Sequence, residues 1–206
     1  MIYGDSPKQG IVRNSDFYHE GLGLAMSFPP GWRVRNRAQN VVATSPGGEA
    51  MIDLRSGGPA KGSPADVLRR ALKLPATEEV TPTTIRGLQA ATVNTTINGQ
   101  PTRAACVFHR DTAFLIGTQT KSAVAFKQHQ EAIEASLTSI HALTNEERLF
   151  ARPLRLRVIT AQANTTFAEL ARRAPLGRFA EGHLRVLNGL YPTGEPVAGQ
   201  PLKIVE

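Results

Sequence analysis

The stretch that decides the fold is Leu22-Gly23-Leu24-Ala25-Met26-Ser27-Phe28-Pro29-Pro30-Gly31-Trp32. Its apolar residues alternate at a period of two, which predicts a half-buried strand. The Pro-Pro-Gly that follows ends this strand, because proline donates no hydrogen bond to a sheet and glycine permits a turn. Trp32 begins the next strand, where we expect it to anchor the core rather than to stack on a ligand.

Further strand and helix signals fill residues 17–142. Strands are predicted at 32–35, 40–44, 50–54, 83–96, 102–110 and 113–118. Asn98-Gly99 is a strong hairpin signal, and Gly87 indicates a bulge or bend within its strand. One helix begins at Ser63, a good N-cap, and a second covers about 122–140. A run of strands with segregated helices predicts the α+β class, with an antiparallel sheet flanked by helices.

The segments around this domain have a different character. Residues 1–16 are polar and are predicted to be a lead-in arm. Residues 143–153 are predicted to be a helical linker, in which Thr144 and Glu147 have the spacing of a capping box. The first residues carry neither a basic region nor an apolar core of the kind found in signal peptides. We therefore expect either a cytosolic protein or a piece cut from a longer precursor.

The tail, residues 154–206, is predicted to be a second, small domain. A strand covers 154–159, and Asn164-Thr165-Thr166 begins a helix. A second helix covers about 179–187, and a final strand lies at 202–205. The predicted order is β-α-α-β.

Composition limits the possible partners. The chain has 24 Lys and Arg against 17 Asp and Glu, a net charge of +7. The basic residues are scattered and form no long tract, so we expect no nucleic-acid partner. No run of about 18 apolar residues is present, so no transmembrane segment is predicted.

Complete catalytic or metal-binding motifs are missing from the sequence. It contains no HExxH, CxxC, GxSxG, P-loop or helix-opening GxGxxG pattern. Cys106, the single cysteine, lies in an apolar strand and is expected to be a buried hydrophobe. Asp16, His19 and Glu20 form a polar cluster that is expected to be a solvated lead-in to the first strand. We therefore predict no catalytic residue, metal ligand or cofactor in this chain. An enzyme that uses Cys106 or this cluster is the least favoured alternative.

Residues 17–32, from Phe17 to Trp32, resemble the opening of PsbP-like domains. In those domains an aromatic residue and a phrase ending in P-x-G-W begin an antiparallel sheet flanked by helices. The resemblance therefore implies a PsbP-like domain over 17–142.

The tail resembles a LysM module. The matching phrases are Leu156-Arg157-Val158, Thr166-Phe167-Ala168-Glu169-Leu170-Ala171, Leu187-Asn188-Gly189-Leu190 and Gly199-Gln200-Pro201-Leu202-Lys203-Ile204. The resemblance implies glycan contacts from the two loops beside the groove of such modules: Asn164, Thr165, Thr166, Leu190 and Tyr191. The usual Gly-Asp-Thr before the first helix is Asn164-Thr165-Thr166 here. A second interpretation therefore stays open, in which these residues only cap and pack a small fold.

The combination resembles the region downstream of the protease domain in bacterial HtpX-type zinc metallopeptidases. The matching stretches are residues 3–13, the Phe28–Trp32 phrase, 152–157, 187–192 and 203–206. The resemblance implies a non-catalytic accessory region of an envelope protease, in the bacterial periplasm or cell envelope. The zinc and its HExxH helix would belong to an upstream domain of the same polypeptide, which would be this region's partner together with envelope protein substrates. The alternative function is a stand-alone peptidoglycan-binding module.

Overall fold

The computed structural model of the protein describes residues 1–6 and 8–206. The chain divides into two compact units. The N-terminal unit comprises residues 8–152 of the described chain, and the C-terminal unit comprises residues 1–6 and 153–206. Pro7, which belongs to the predicted arm and to the first stretch of the protease resemblance, lies outside the described residues.

The C-terminal unit contains strand β1 and the elements from β13 onward, and the N-terminal unit contains those from β2 to α3. The strands are β1 Ile2–Tyr3, β2 Ile11–Arg13, β3 Asp16–His19, β4 Leu24–Ser27, β5 Arg33–Asn36, β6 Asn40–Thr44, β7 Ala50–Pro59, β8 Thr81–Ile85, β9 Leu88–Ile97, β10 Gln100–His109, β11 Thr112–Thr120, β12 His141–Ala142, β13 Leu154–Thr160 and β14 Pro201–Val205. The α-helices are α1 Pro64–Leu72, α2 Ala123–Leu137, α3 Glu147–Phe150, α4 Phe167–Arg173 and α5 Ala180–Leu187. No helix in the described part of the chain is long and apolar enough to cross a membrane.

The N-terminal unit is built on two antiparallel sheets. The larger has seven strands in the order β5-β6-β7-β11-β10-β9-β8, and the smaller has four in the order β12-β4-β3-β2. Their shared core includes Phe17, Met26, Trp32, Ile52 and Phe114. The predicted α+β class, with antiparallel sheets and a few helices, is therefore confirmed.

The Pro-Pro-Gly-Trp phrase turns the chain from the smaller sheet to the larger. The Trp32 amide donates to the Pro29 carbonyl at 3.1 Å, which closes a four-residue turn. Gly31 has φ of 81° at the third position, and Pro30 occupies the second. Those two residues suit a type II turn, in which only the third position needs a positive φ. The turn leaves Trp32 buried at 8% exposure.

Strand β4 differs from the half-buried strand that the alternation predicts. Leu24 and Met26 face the main core, but Ala25 is buried too. It packs with Leu143 and Ala151 on the opposite face of the strand. A small residue allows this second contact, and the apolar alternation alone does not show that the polar face will be covered.

The predicted strand 83–96 is two strands in the structure. Arg86 and Gly87 have φ of 45° and 82° and form a tight turn between β8 and β9, where Ile85 pairs with Leu88. The interpretation of Gly87 as a bulge or bend was therefore wrong. Asn98 and Gly99, with φ of 51° and 76°, form the expected second turn, between β9 and β10. Two consecutive positive φ values are typical of the turns that suit the twist of a hairpin.

The helix caps predicted at Ser63 and Thr144 are both present. The Ser63 hydroxyl accepts from the Asp66 amide at 3.2 Å, and the Asp66 carboxylate accepts from the Ser63 amide at 3.1 Å. The same reciprocal pair joins Thr144 and Glu147 at the start of α3, at 3.2 and 2.9 Å. Such capping boxes satisfy amides that the first helical turn leaves unpaired.

Residues 1–16, predicted to be a lead-in arm, contribute strands to both units. β2 pairs with β3 in the smaller sheet, and Ile11 is buried at 2% exposure. β1 pairs with β13, where Ile2 lies opposite Arg155. These pairings depend on partners far along the chain, so local polarity does not reveal them.

The C-terminal unit has the predicted β-α-α-β order. Its antiparallel sheet has the order β1-β13-β14, and helices α4 and α5 pack beside it. The buried centre consists of Ala161, Phe167, Leu184 and Leu202. Partly buried residues such as Leu170 and Leu190 pack against this cluster. The core is still small, so the large side chains within it carry a large share of the unit's stability.

Candidate functional site

The predicted glycan-contacting residues lie in two loops of the C-terminal unit. One loop joins β13 to α4 and contains Asn164, Thr165 and Thr166. The other follows α5 and contains Leu190 and Tyr191. Each loop adjoins the end of a helix. Polar groups of the loop are therefore needed to pair with the free amides or carbonyls of that helix end, and fewer are left for a ligand.

The threonines of the first loop make structural hydrogen bonds. The Thr166 hydroxyl accepts from the Glu169 amide at 3.2 Å, which makes Thr166 the N-cap of α4. The Thr165 hydroxyl accepts from the Gln162 amide at 2.8 Å and closes the turn before it. Asn164 lies exposed at the tip of that turn. Within this loop, Asn164 is therefore the predicted contact residue whose side chain faces solvent most openly.

The two residues of the second loop differ in burial. Leu190 packs against the core of the unit, and its amide donates to the Arg185 carbonyl at 2.8 Å. Tyr191 is 66% exposed. An exposed tyrosine offers an apolar ring and a hydroxyl together, which suits the stacking face and polar edge of a sugar. Leu190 thus anchors the loop, and Tyr191 is the residue available to a ligand.

Glu195 ties the two loops together, although no sequence motif points to it. Its Oε2 accepts from the Phe167 amide at 3.0 Å, at the first residue of α4. Its other oxygen forms an ion pair with Arg185, which also pairs with Glu181 and donates to the Gly194 carbonyl. The hydrogen bond from the Phe167 amide, together with Arg185, lowers the pKa of Glu195. The ionised carboxylate is therefore favoured, as suits the positive end of a helix.

One ion pair of this network is predictable from the sequence. Glu181 and Arg185 are four residues apart on α5, which is the spacing of an ion pair on a helix. Glu195 lies beyond the helix in a loop, and its partner amide is 28 positions away. Only the folded chain brings them together.

Within the polar cluster of Asp16, His19 and Glu20, the histidine has a structural role. The Nδ1 atom of His19 accepts from the Leu22 amide at 3.2 Å, which closes the turn between β3 and β4. Burial lowers the pKa of His19, so its neutral form is favoured. Across residues 1–6 and 8–206, no group of three or more His, Cys, Asp or Glu residues is arranged to hold a metal ion.

Cys106 is fully buried in the middle of β10. It packs with Val67, Leu68, Ala91 and Leu115 between α1 and the large sheet. Burial raises the pKa of the thiol to about 12. Since the thiolate is the nucleophile, this environment disfavours the reactive form of the sulfur.

We expect Cys106 to resist alkylation in the native protein. With a pKa of about 12, roughly one thiol in 10⁴ is ionised at about pH 8, and the sulfur is also shielded from reagent. Mass spectrometry after iodoacetamide treatment should show unmodified native chain and complete modification in urea. Rapid alkylation without denaturant would contradict this and would revive the cysteine as a candidate nucleophile.

No protein-family profile matches the sequence, and no curated protein matches it significantly. Several solved structures have a similar chain course. The cyanobacterial PsbP protein (CyanoP) of Synechocystis sp. PCC 6803 aligns at 11% identity and a TM-score of 0.47, covering 68% of this chain and 98% of its own. A Bacteroides thetaiotaomicron VPI-5482 protein aligns at 13% identity and 0.42, covering 79% of this chain and 58% of its own.

LpqN of Mycobacterium tuberculosis, described as involved in cell envelope biogenesis, aligns at 15% identity and a TM-score of 0.35. It covers 59% of this chain and 83% of its own. Identities of 11–15% assign this chain to no family.

Proposed function

We propose that this chain is a non-catalytic accessory region of a bacterial envelope zinc metalloprotease, which positions protein substrates or tethers the enzyme. The observation that carries the proposal is the structural use of its polar side chains. Thr165, Thr166, Glu195 and Arg185 hold loops and helix ends in place, and Cys106 is sealed in a core. In this proposal the zinc and the proteolytic residues belong to an upstream domain of the same polypeptide.

The domain assignments are part of the same proposal. Residues 17–142 would be a PsbP-like domain, supported by the antiparallel sheet that follows the Pro-Pro-Gly-Trp turn. Residues 154–206 would be a LysM-like module, supported by the β-α-α-β order and the short loops at its helix ends. The location would be the periplasm or cell envelope, where such an enzyme meets its substrates.

The test begins with the reading frame upstream of this chain, which should encode an HExxH motif. The purified chain should degrade no casein, with or without added zinc. The parent enzyme lacking residues 1–206 should still cleave a short peptide but lose most of its activity on whole proteins or its attachment to the envelope. Casein degradation by the isolated chain, or an upstream frame without HExxH, would overturn the proposal.

Peptidoglycan binding is the second candidate function. The specific observation that favours it is that Glu195 links the second loop to the first residue of α4, while Tyr191 of that loop is exposed. A rigid pair of loops with an exposed aromatic residue is a suitable surface for a glycan, because little entropy is lost when the ligand binds.

We expect the chain to sediment with purified peptidoglycan, and Tyr191→Ala to weaken this binding about threefold to tenfold, as loss of one aromatic contact would. The matched control is Phe179→Ala, an aromatic residue of the same unit with 60% exposure that lies outside the two loops. This variant should bind like the wild type. Equal losses in both variants, or no binding by the wild type, would remove this function.

A further inference from the structure

A groove opens along the free edge of strand β9 in the N-terminal unit. The cavity there measures about 510 Å³, and it adjoins a smaller one of about 150 Å³ beside helix α2. From this geometry we infer that the groove binds an extended peptide with a basic side chain, which pairs with β9 as an additional strand. The inference concerns the N-terminal unit alone and depends on neither a protease parent nor glycan binding.

Strand β9 extends beyond its neighbour β8. Their pairing ends where Thr81 lies opposite Thr92, although β9 continues to Ile97. Among the described residues, no main-chain hydrogen bond supplies a partner on this side for residues 93–97. This end of β9 is therefore an open edge, of the kind to which a further strand can be added.

The main-chain groups of Asn94 and Thr96 point to this open edge. Along an antiparallel strand, the N–H and C=O groups of successive residues point alternately to one side and to the other. Arg103 lies opposite Asn94, and its amide donates to the Thr118 hydroxyl of β11 at 2.9 Å, away from β9. The Asn94 main chain therefore points away from β10, and Thr96, two residues further on, points the same way.

Side chains from both faces of the sheet line the groove. Asn94 and Thr96 lie on the face that α2 covers, since Arg103, opposite Asn94, bonds with Glu134 of that helix at 2.9 Å. Thr95 lies on the other face, where α1 packs. A cavity lined by consecutive residues of one strand surrounds the edge of that strand, because their side chains alternate between the faces. The groove thus has the shape of an extended chain.

Helix α2 supplies one wall of the groove. Phe126 is half-buried there, and Gln130 is exposed one turn later on the helix. Both residues line the two cavities, as does Asn94. The phenyl ring offers an apolar contact to a peptide side chain, and the two amide groups offer hydrogen-bond donors and acceptors.

Glu78 gives the groove its charge. The other two charged residues that line the cavities, Arg103 and Glu134, pair with each other through hydrogen bonds of 2.9 and 3.1 Å. Glu78 is half-buried and forms no ion pair with any residue that the structure describes. One anion is left without a partner, which favours a lysine or arginine side chain in the bound peptide.

The probe is the peptide acetyl-Val-Thr-Lys-Thr-Val-amide, titrated into the full chain and followed by two-dimensional amide NMR. We expect saturable shifts at residues 93–97, with a dissociation constant of about 1 mM or tighter. The amides of Asn94 and Thr96 should exchange their hydrogens more slowly in the complex.

The control peptide is N-methylated at every residue, so it keeps the side chains and the charge but lacks main-chain donors. It should bind at least about tenfold more weakly, as the loss of several hydrogen bonds would cause. Equal binding of the two peptides, shifts located elsewhere, or no saturable shift would overturn the inference. Shifts at residues 93–97 that depend on protein concentration without peptide would also overturn it, because a second copy of the chain would then be the occupant.

Variants of Thr96 separate main-chain pairing from side-chain contacts. Thr96→Pro removes one N–H that points to the open edge and should weaken peptide binding about fivefold or more. Thr96→Ala keeps this N–H and should bind like the wild type. Wild-type binding by Thr96→Pro would contradict strand addition. If the proline disturbs the amide spectrum beyond β9 and β10, the N-methylated peptide decides the question alone.

A second pair of variants tests the charge of the groove. Glu78→Gln should weaken binding of the lysine peptide about threefold. The matched control is Glu79→Gln, an exposed neighbour that does not line the cavities. This variant should bind like the wild type. Equal weakening by both variants would show attraction by overall charge and would contradict recognition of the basic side chain in this groove.

Discussion

Replacing Phe167 with alanine is expected to lower the free energy of unfolding of the C-terminal unit by about 3–5 kcal/mol. Phe167 is fully buried and is the largest side chain of the buried cluster that it forms with Ala161, Leu184 and Leu202. A unit of this size has only about 3–5 kcal/mol of stability from its core. The substitution should therefore leave residues 153–206 largely unfolded at room temperature.

Amide hydrogen exchange measured by mass spectrometry checks this result, because it reports on residues 153–206 separately. The wild type should show slow exchange in β13, β14 and α5, and Phe167→Ala should show fast exchange there. Phe179→Ala removes an exposed ring of the same size and should change the free energy of unfolding by less than about 0.5 kcal/mol. Slow exchange in Phe167→Ala would mean that the unit is held together by more than this core.

Local signals in the sequence predicted the local features of the fold. The Asn98-Gly99 turn, the cap at Ser63 and the cap at Thr144 all depend on residues within three positions of one another. Chemistry at such short range is already present in the chain before it folds. The strand-helix order of the C-terminal unit was predictable for the same reason, since each element has its own periodicity or cap.

Features that depend on distant pairs were not predicted. Strand β1 pairs with β13 across most of the chain, and β2 becomes part of the smaller sheet. Both segments were interpreted as a polar arm because a short edge strand carries too few apolar residues to show a pattern. The split of residues 83–96 was missed for another reason. Arginine at position 86 is an unusual residue for a positive φ, so it gives no turn signal.

The candidate sites divide in the same way. Loop residues such as Thr166 and Tyr191 could be identified from the phrase around them, but their roles could not. The hydroxyl that caps α4 and the ring that faces solvent are distinguished only by burial and bonding. Glu195 had no sequence signal, because the Phe167 amide that it binds lies 28 positions away in the chain.

Trp32→Ala is expected to lower the free energy of unfolding of the N-terminal unit by about 3–5 kcal/mol, as measured by urea denaturation. The indole is 8% exposed, and its ring meets His129 of α2 edge-on at 5.4 Å between ring centroids. Removing the indole would leave a large void between the Pro-Pro-Gly turn and helix α2. It would also open the surroundings of the His129 Nε2 atom, which is buried without a hydrogen-bond partner among the described residues.

Two further variants separate a core role of Trp32 from a role in ligand stacking. Trp32→Phe keeps part of the apolar contact and should cost clearly less stability than Trp32→Ala, because the residual void is smaller. Val124→Ala, at a site with 76% exposure on α2, should change the free energy of unfolding by less than about 0.5 kcal/mol. If Trp32→Ala left stability unchanged, the indole would not be the anchor that fixes the Pro-Pro-Gly turn against the core. A ligand-stacking role, which the sequence left as the less favoured interpretation, would then be the better account of this tryptophan.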